Sequence, residues 1–172
     1  MANTNYNVQF KGETIVTTVT NSSSLIDAVL DEFRSERFIG FAMKWNPNSD
    51  NKKVSTLQLC NGNRCIIIQL LHLDSIPNSL RNLLSGRSIK FVGVDIAEDI
   101  AKLDHDHGLK CWYGHELGFG VRSLAGVLIK ELDSVNDHSD WSANILTKDQ
   151  IEVAAMEASV YFTYGKVNLC DL

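Results

Sequence analysis

Phe38-Ile-Gly-Phe-Ala-Met-Lys-Trp45 is the stretch on which the fold turns. Its apolar residues are continuous, not alternating, as in a strand covered on both faces. A sheet with such a strand needs a layer on each side, and helices supply it. Downstream, residues 54–60 and 64–70 read as two strands around Asn61-Gly62, the strongest short-range hairpin signal. Lys90-Phe-Val-Gly-Val94 is a further buried strand. Upstream, residues 6–10 and 14–19 are rich in Thr, Val and Ile, with Lys11-Gly12 as the turn between them.

Helical periodicity fills the gaps. Ile26, Val29, Leu30 and Phe33 recur at helical spacing after Ser22-Ser-Ser, which predicts a helix ending near Ser35. Ser24 with Asp27 is a loose capping box for it. Ile76, Leu80, Leu83 and Leu84 define a short helix after Pro77. Ile96, Ile100, Leu103 and His107 define the next, stopped by Gly108. A strand is expected near 109–113, a helix near 123–131 and a polar turn over 133–142. Thr147 caps a long final helix over about 148–167, with Ile151, Ala154, Ala155, Ala158, Tyr161 and Phe162 in its pattern. The order predicts a mixed sheet with helices packed on it.

Composition narrows the class. The chain has 172 residues, 44% of them hydrophobic and 22% charged, with two prolines. That excludes a disordered, collagen-like or coiled-coil chain and predicts a single domain over 1–172. No apolar run reaches the roughly 18 residues of a membrane helix. The start has no basic and apolar leader, so a cytoplasmic or nuclear location is expected. A net charge of −5 argues against a strongly basic nucleic-acid binder, though not against a local basic patch. Cys60, Cys65, Cys111 and Cys170 contain no Cys-x-x-Cys pair, so reduced, buried thiols are the favoured reading over a zinc site. Cys60 and Cys65 flank the hairpin turn, where they can approach each other.

Four blocks stand in a distinctive order: Phe41-Ala-Met-Lys-Trp45, Leu57-Gln-Leu-Cys60, Ile66-Ile-Ile-Gln-Leu70 and Phe91-Val-Gly-Val94. With the Ser-Asp-Trp141 segment and the final helix, the chain resembles the 3′–5′ exonuclease domain of the RNase D and Werner-syndrome type, its plant members above all. The resemblance runs from about Tyr6 to Lys166. It implies an α/β, ribonuclease-H-like mixed sheet flanked by helices. It also implies a site of four carboxylates holding two divalent cations, Mg²⁺ or Mn²⁺, which activate a water for in-line phosphodiester attack.

That pattern is damaged here. The resemblance places the first two acids at Ala42 and Lys44, on one face of the central strand. The third is Asp99, in Val94-Asp-Ile-Ala-Glu-Asp99, and the last is Glu157, in Val153-Ala-Ala-Met-Glu157. Val153 stands where the family has a water-positioning tyrosine, four residues earlier on the same helix face. Lys44 sets an ammonium against any metal, and two like charges ~4 Å apart repel by ~4 kcal/mol at an effective dielectric of 20. Any metal would have only Asp99 and Glu157, and no cofactor is expected. Lys44 is expected to reach Asp99, Glu157 or both, because buried carboxylates need partners. Residues 117–141, which help to shape the substrate cleft in the family, look short.

Other constellations have weaker claims. Asp104-His105-Asp106-His107 contains metal-ligand types, but adjacent helical residues point about 100° apart, and a solvated helix end with His107 packed near the apolar stripe is favoured. Asp95, Glu98 and Asp99 are candidates for a relocated acidic site. Cys111 and His115 lack an orienting acid, so packing is favoured over a nucleophile–base pair. Lys52, Lys53 and Arg64 near the first motif are candidate phosphate contacts, and Trp45 and Trp112 candidate base-stacking surfaces. The expected function is a catalytically degenerate exonuclease fold with a nucleic-acid-binding or protein-interaction role. The alternatives are a divergent active 3′–5′ exonuclease on RNA or single-stranded DNA, and a non-catalytic subunit of a homo-oligomer or of a hetero-oligomer with an active paralogue.

Overall fold

The computed structural model describes residues 4–170. Among these, seven strands form one mixed sheet: β1 (Thr4–Phe10), β2 (Glu13–Thr20), β3 (Phe38–Lys44), β4 (Thr56–Cys60), β5 (Arg64–Gln69), β6 (Lys90–Gly93) and β7 (Gly114–Glu116). Their spatial order is β1-β2-β5-β4-β3-β6-β7. The β3-β4-β5 strands are antiparallel, whereas β3 pairs in parallel with β6, and β6 with β7. This is the mixed α/β sheet expected from the run 38–45.

Six helices cover the two faces: α1 (Ser23–Leu30), α2 (Asn78–Ser85), α3 (Ile96–His107), α4 (Phe119–Leu128), α5 (Leu132–His138) and α6 (Lys148–Cys170). Strand alternation divides the core between them. Ile39, Phe41 and Met43 of β3 pack with Ile26, Phe33, Leu80, Leu84 and Leu103 on the α1–α2–α3 side. Ala42 packs with Ala125, Leu132, Ala154 and Ala158 on the α4–α5–α6 side.

Several local expectations need correction. Ser22, not Ser24, caps α1, its hydroxyl accepting from Leu25 N. The strand expected over 109–113 lies at 114–116, because its register is set by pairing with β6 and not by its own composition. Residues 133–142 are no simple turn, since Leu132 and Val135, one turn apart, are buried and form α5 against α6. Thr147 does cap α6: its hydroxyl accepts from Gln150 N, and Gln150 Oε1 accepts from Thr147 N. No helix of the described residues is long and apolar enough to cross a membrane.

The thiols are core groups. Cys60 and Cys65 face each other across β4 and β5, both buried and free. Hydrogen bonding to Cys60, then burial, holds the Cys65 thiol well above its ordinary pKa. Burial pushes Cys111 up to about 12, which removes it as a nucleophile for His115. The side chain of Cys170 lies outside the described residues.

Candidate functional site

Glycine brings α6 down onto the centre of the sheet. A Cβ at Gly40 would overlap the Ala158 carbonyl oxygen, and one at Gly165 would overlap the Val92 side chain. Backbone therefore meets backbone where α6 crosses β3, and Glu157, next to Ala158, lands beside the C-terminal half of β3. Ala42 and Lys44 project to that face, as their spacing requires.

Ala42, Lys44, Asp99 and Glu157 line one open cleft of about 310 Å³, together with Asp95, Phe119, Arg122, Asn136 and Tyr161. Lys44 Nζ donates to Glu157 Oε1 at 2.7 Å, with side-chain exposures of 8% and 5%. The same ammonium lies 5.6 Å from the centroid of the buried Trp141 ring. Of the two acids open to Lys44, the contact is thus made with Glu157. Asp99 gains no such partner. Burial, then the negative charges of Asp95 and Glu157, push its carboxyl up to about 7, against the weaker pull of Lys44.

Val153 does not line the cleft. It is buried one turn before Glu157, among Ile129 and Leu132. Tyr161, one turn after Glu157, enters instead. Burial and the Glu157 charge raise its hydroxyl far above the ordinary tyrosine range, so it is a neutral donor. Arg122 reaches the cleft from α4, held by Asp133 Oδ1 at 2.8 Å. Neither residue belongs to the motif pattern. For Tyr161 the signal was its i+4 spacing from Glu157; for Arg122, a lone charge in the otherwise uncharged run 119–129.

The floor beside the cleft is fastened by polar groups. Glu116 accepts from Asp95 N and Ile96 N, so β7 caps the start of α3, where Asp95 has a left-handed backbone. Asn46 donates to Asp140 at 2.6 Å and accepts from Trp141 N, fixing the indole over Lys44. Asp106 and His107 also bind backbone: Asp106 accepts from Val54 N, and His107 Nε2 donates to Val54 O. The helix end keeps solvated side chains, with His105 88% exposed, while Asp106 and His107 hold the backbone before β4.

The other candidates lie elsewhere. Arg64 sits at the far end of the β4–β5 hairpin from Lys44 and pairs with Glu32 at 2.7 Å. Lys52 and Lys53 are exposed in the loop that precedes β4. Trp112 is exposed, whereas Trp45 is partly buried with Lys102 Nζ 5.1 Å from its ring centroid. Among the described residues no group of three or more His, Cys, Asp or Glu is arranged to hold a metal ion, at Asp95-Glu98-Asp99 or at 104–107.

No family model matches the chain. It is 28% identical to exonuclease 3′-5′ domain-containing protein 2 of Drosophila melanogaster, over 76% of this chain and 26% of that protein. It is 26% identical to protein RISC-interacting clearing 3′-5′ exoribonuclease 1 of Arabidopsis thaliana, over 86% of this chain and 84% of that protein. Among solved structures, the EXD2 exonuclease domain soaked in Mn and Mg matches at 25% identity with a TM-score of 0.52, covering 90% of this chain and 88% of that one. This is a 3′–5′ exonuclease-fold protein. The Aedes aegypti Nibbler EXO domain shares the fold, with a TM-score of 0.70 at 17% identity over 88% of each chain. The exonuclease-fold chain thus spans about a quarter of the fly relative and most of the Arabidopsis one.

The divalent cations implied by this fold do not fit the residues present. Hard cations need clustered anionic oxygens. Ala42 offers no donor atom, and Glu157 Oε1 is already occupied by an ammonium at 2.7 Å. Asp99, pushed up to about 7, is only partly ionised near neutrality.

Proposed function

We propose that the chain is a catalytically degenerate 3′–5′ exonuclease-fold protein that binds single-stranded nucleic acid without cutting it. The observation that carries this reading is the buried Lys44–Glu157 pair, which puts a fixed positive charge among the positions where the resemblance places metal-binding carboxylates. Support for a retained ligand comes from the open cleft, with Arg122 and the exposed ring of Phe119 at its wall. An aromatic face and a guanidinium suit stacked bases and phosphates.

Labelled single-stranded RNA and DNA, incubated with the purified chain and Mg²⁺ or Mn²⁺, test it. The expected result is no laddering, with binding that weakens as salt rises because phosphate contacts release counterions. Metal-dependent laddering that disappears in Asp99→Ala overturns it.

A second reading, a non-catalytic subunit of an oligomer with itself or with an active paralogue, is favoured by α4. Its Phe119 and Val127 are 79% and 78% exposed, two turns apart on one face. Absence of nucleic-acid binding, with a concentration-dependent mass in light scattering that Val127→Glu abolishes, selects it.

A further inference from the structure

We infer that the Lys44 ammonium is the resident cation of the cleft: it holds β3 to α6 through Glu157, and by its presence it shuts out divalent metal. The inference rests on the degenerate reading above, but it concerns what occupies the cleft and not whether nucleic acid is cut.

Three observations carry it. First, the ammonium is seated as an ion in a cage would be, with a carboxylate oxygen at 2.7 Å on one side and the Trp141 face at 5.6 Å. Second, the cage is built for it. Trp141 is held at its backbone, whose N–H donates to Asn46 Oδ1, and Asn46 is itself tied to Asp140 and Ser142. Third, the acids around it outnumber the cations: Asp95, Asp99 and Glu157 against Lys44 and Arg122, of which Arg122 already has Asp133. Removing Lys44 leaves the buried Glu157 without its cation, keeping only its hydrogen bond with the Tyr161 hydroxyl, with Asp99 as its near acidic neighbour. A buried carboxylate without a compensating charge is strongly unfavourable. The cheapest external remedy is a small divalent ion, which accepts anionic oxygens and arrives from solvent through the open cleft. Lys44 and a divalent ion are therefore mutually exclusive occupants, and the lysine wins because it is tethered.

The test compares the wild-type chain with Lys44→Met, which is unbranched and one heavy atom shorter and removes the charge. Thermal unfolding is followed with and without millimolar MnCl₂, and bound Mn²⁺ is read by electron paramagnetic resonance. The expected wild type binds no Mn²⁺ and shows no thermal shift. Lys44→Met is expected to unfold at lower temperature, to regain much of the loss with Mn²⁺, and to bind the ion at least roughly tenfold more tightly than wild type. Lys44→Met/Glu157→Gln is expected to lose both the instability and the binding. Lys44→Arg, which keeps the charge, is expected to stay blind to Mn²⁺. Should Lys44→Met not fold, folding recovered in Glu157→Gln on that background supports the inference, and failure to recover overturns it. Wild-type Mn²⁺ binding that Glu157→Gln abolishes overturns it as well. If that binding comes without cleavage, the non-catalytic reading stands and only the resident-cation inference falls.

Discussion

Gly40 of β3 and Ala158 of α6 meet backbone to backbone: a Cβ at Gly40 would collide with the Ala158 carbonyl oxygen and crowd Phe162. Neither backbone can give way, since β3 is paired on both sides and α6 spans the sheet. Gly40→Ala is therefore expected to destabilise the fold by about 1–3 kcal/mol or more, as overpacking of a close interface does. Urea unfolding measures it. The variant should also loosen the seat of Glu157, the next residue before Ala158, so its loss should exceed that of Gly120→Ala, where a Cβ would meet open space.

The Lys44–Glu157 pair is nearly sealed from water, so its two halves are not independent. Removing one partner strands the other charge, at a cost of about 3–5 kcal/mol, whereas removing both costs far less. In denaturant unfolding, Lys44→Met and Glu157→Gln are each expected to be strongly destabilising. The double variant should be more stable than the sum of the two predicts. Simple additivity would mean that the charges do not act as a pair.

How far the fold was legible follows from the kind of signal each part carries. Continuous apolar residues at 38–45, the Asn61-Gly62 turn and the long periodic helix are local signals, and the elements formed where those signals lie. β7 has no signal of its own, because Gly-His-Glu is a poor strand that exists only through pairing with β6. The 133–142 segment hid a helix whose two buried residues are outnumbered by polar ones. In the cleft, Ala42, Lys44, Asp99 and Glu157 are fixed by strand alternation and by the motif pattern. Arg122 and Tyr161 are not, because their entry depends on how α4 and α6 are rotated against the sheet.

Asp99 gives the cleft a pH dependence whose sign can be worked out. Its folded-state pKa of about 7 lies above the ordinary 3.8, so the folded chain holds this proton more tightly than the unfolded one. The contribution to stability is full below about pH 4 and is lost as pH rises towards 7, falling by about 4 kcal/mol in all if the whole shift is realised. Asp99→Asn, which cannot ionise, is expected to gain on wild type as pH rises from 5 to 8. Unfolding free energies of the two proteins at both pH values check this. Asp74, Asp106 and Asp140, whose carboxyls are held below the ordinary range, contribute the opposite slope at lower pH, and they cancel in the difference.

Asp106 fastens the loop that leads into β4. Its carboxylate side chain, 6% exposed, accepts from Val54 N at 2.8 Å and from Lys102 Nζ at 3.1 Å. Asp106→Ala leaves a buried amide without a partner, an expected loss of about 1–3 kcal/mol. Limited proteolysis should then cut within 46–53 sooner than in wild type. Asp104→Ala, which breaks only the exposed contact with Lys110, should change neither stability nor the cutting pattern.

Glu116 supplies the cap that α3 cannot supply for itself. Asp95 stands at the N-cap position but makes no side-chain capping bond, and its backbone is left-handed. The two carboxylate oxygens of Glu116 take over: Oε1 accepts from Ile96 N at 3.0 Å, and Oε2 from Asp95 N at 3.1 Å and Gly118 N at 2.8 Å. A carboxylate at a helix N-terminus also favours the macrodipole. Glu116→Ala is expected to cost about 1–2 kcal/mol, and Glu116→Gln less, since its amide oxygen keeps one acceptor without the charge. Hydrogen exchange locates the effect. The amides of Asp95, Ile96 and Gly118 should lose protection in Glu116→Ala, while those in the middle of α6 should not. Because Asp99 lies on the first turn of α3, fraying there should expose its carboxyl and bring its pKa down from about 7. An Asp99 titration left unmoved by Glu116→Ala would show that the carboxyl is held by the sheet and α6 alone.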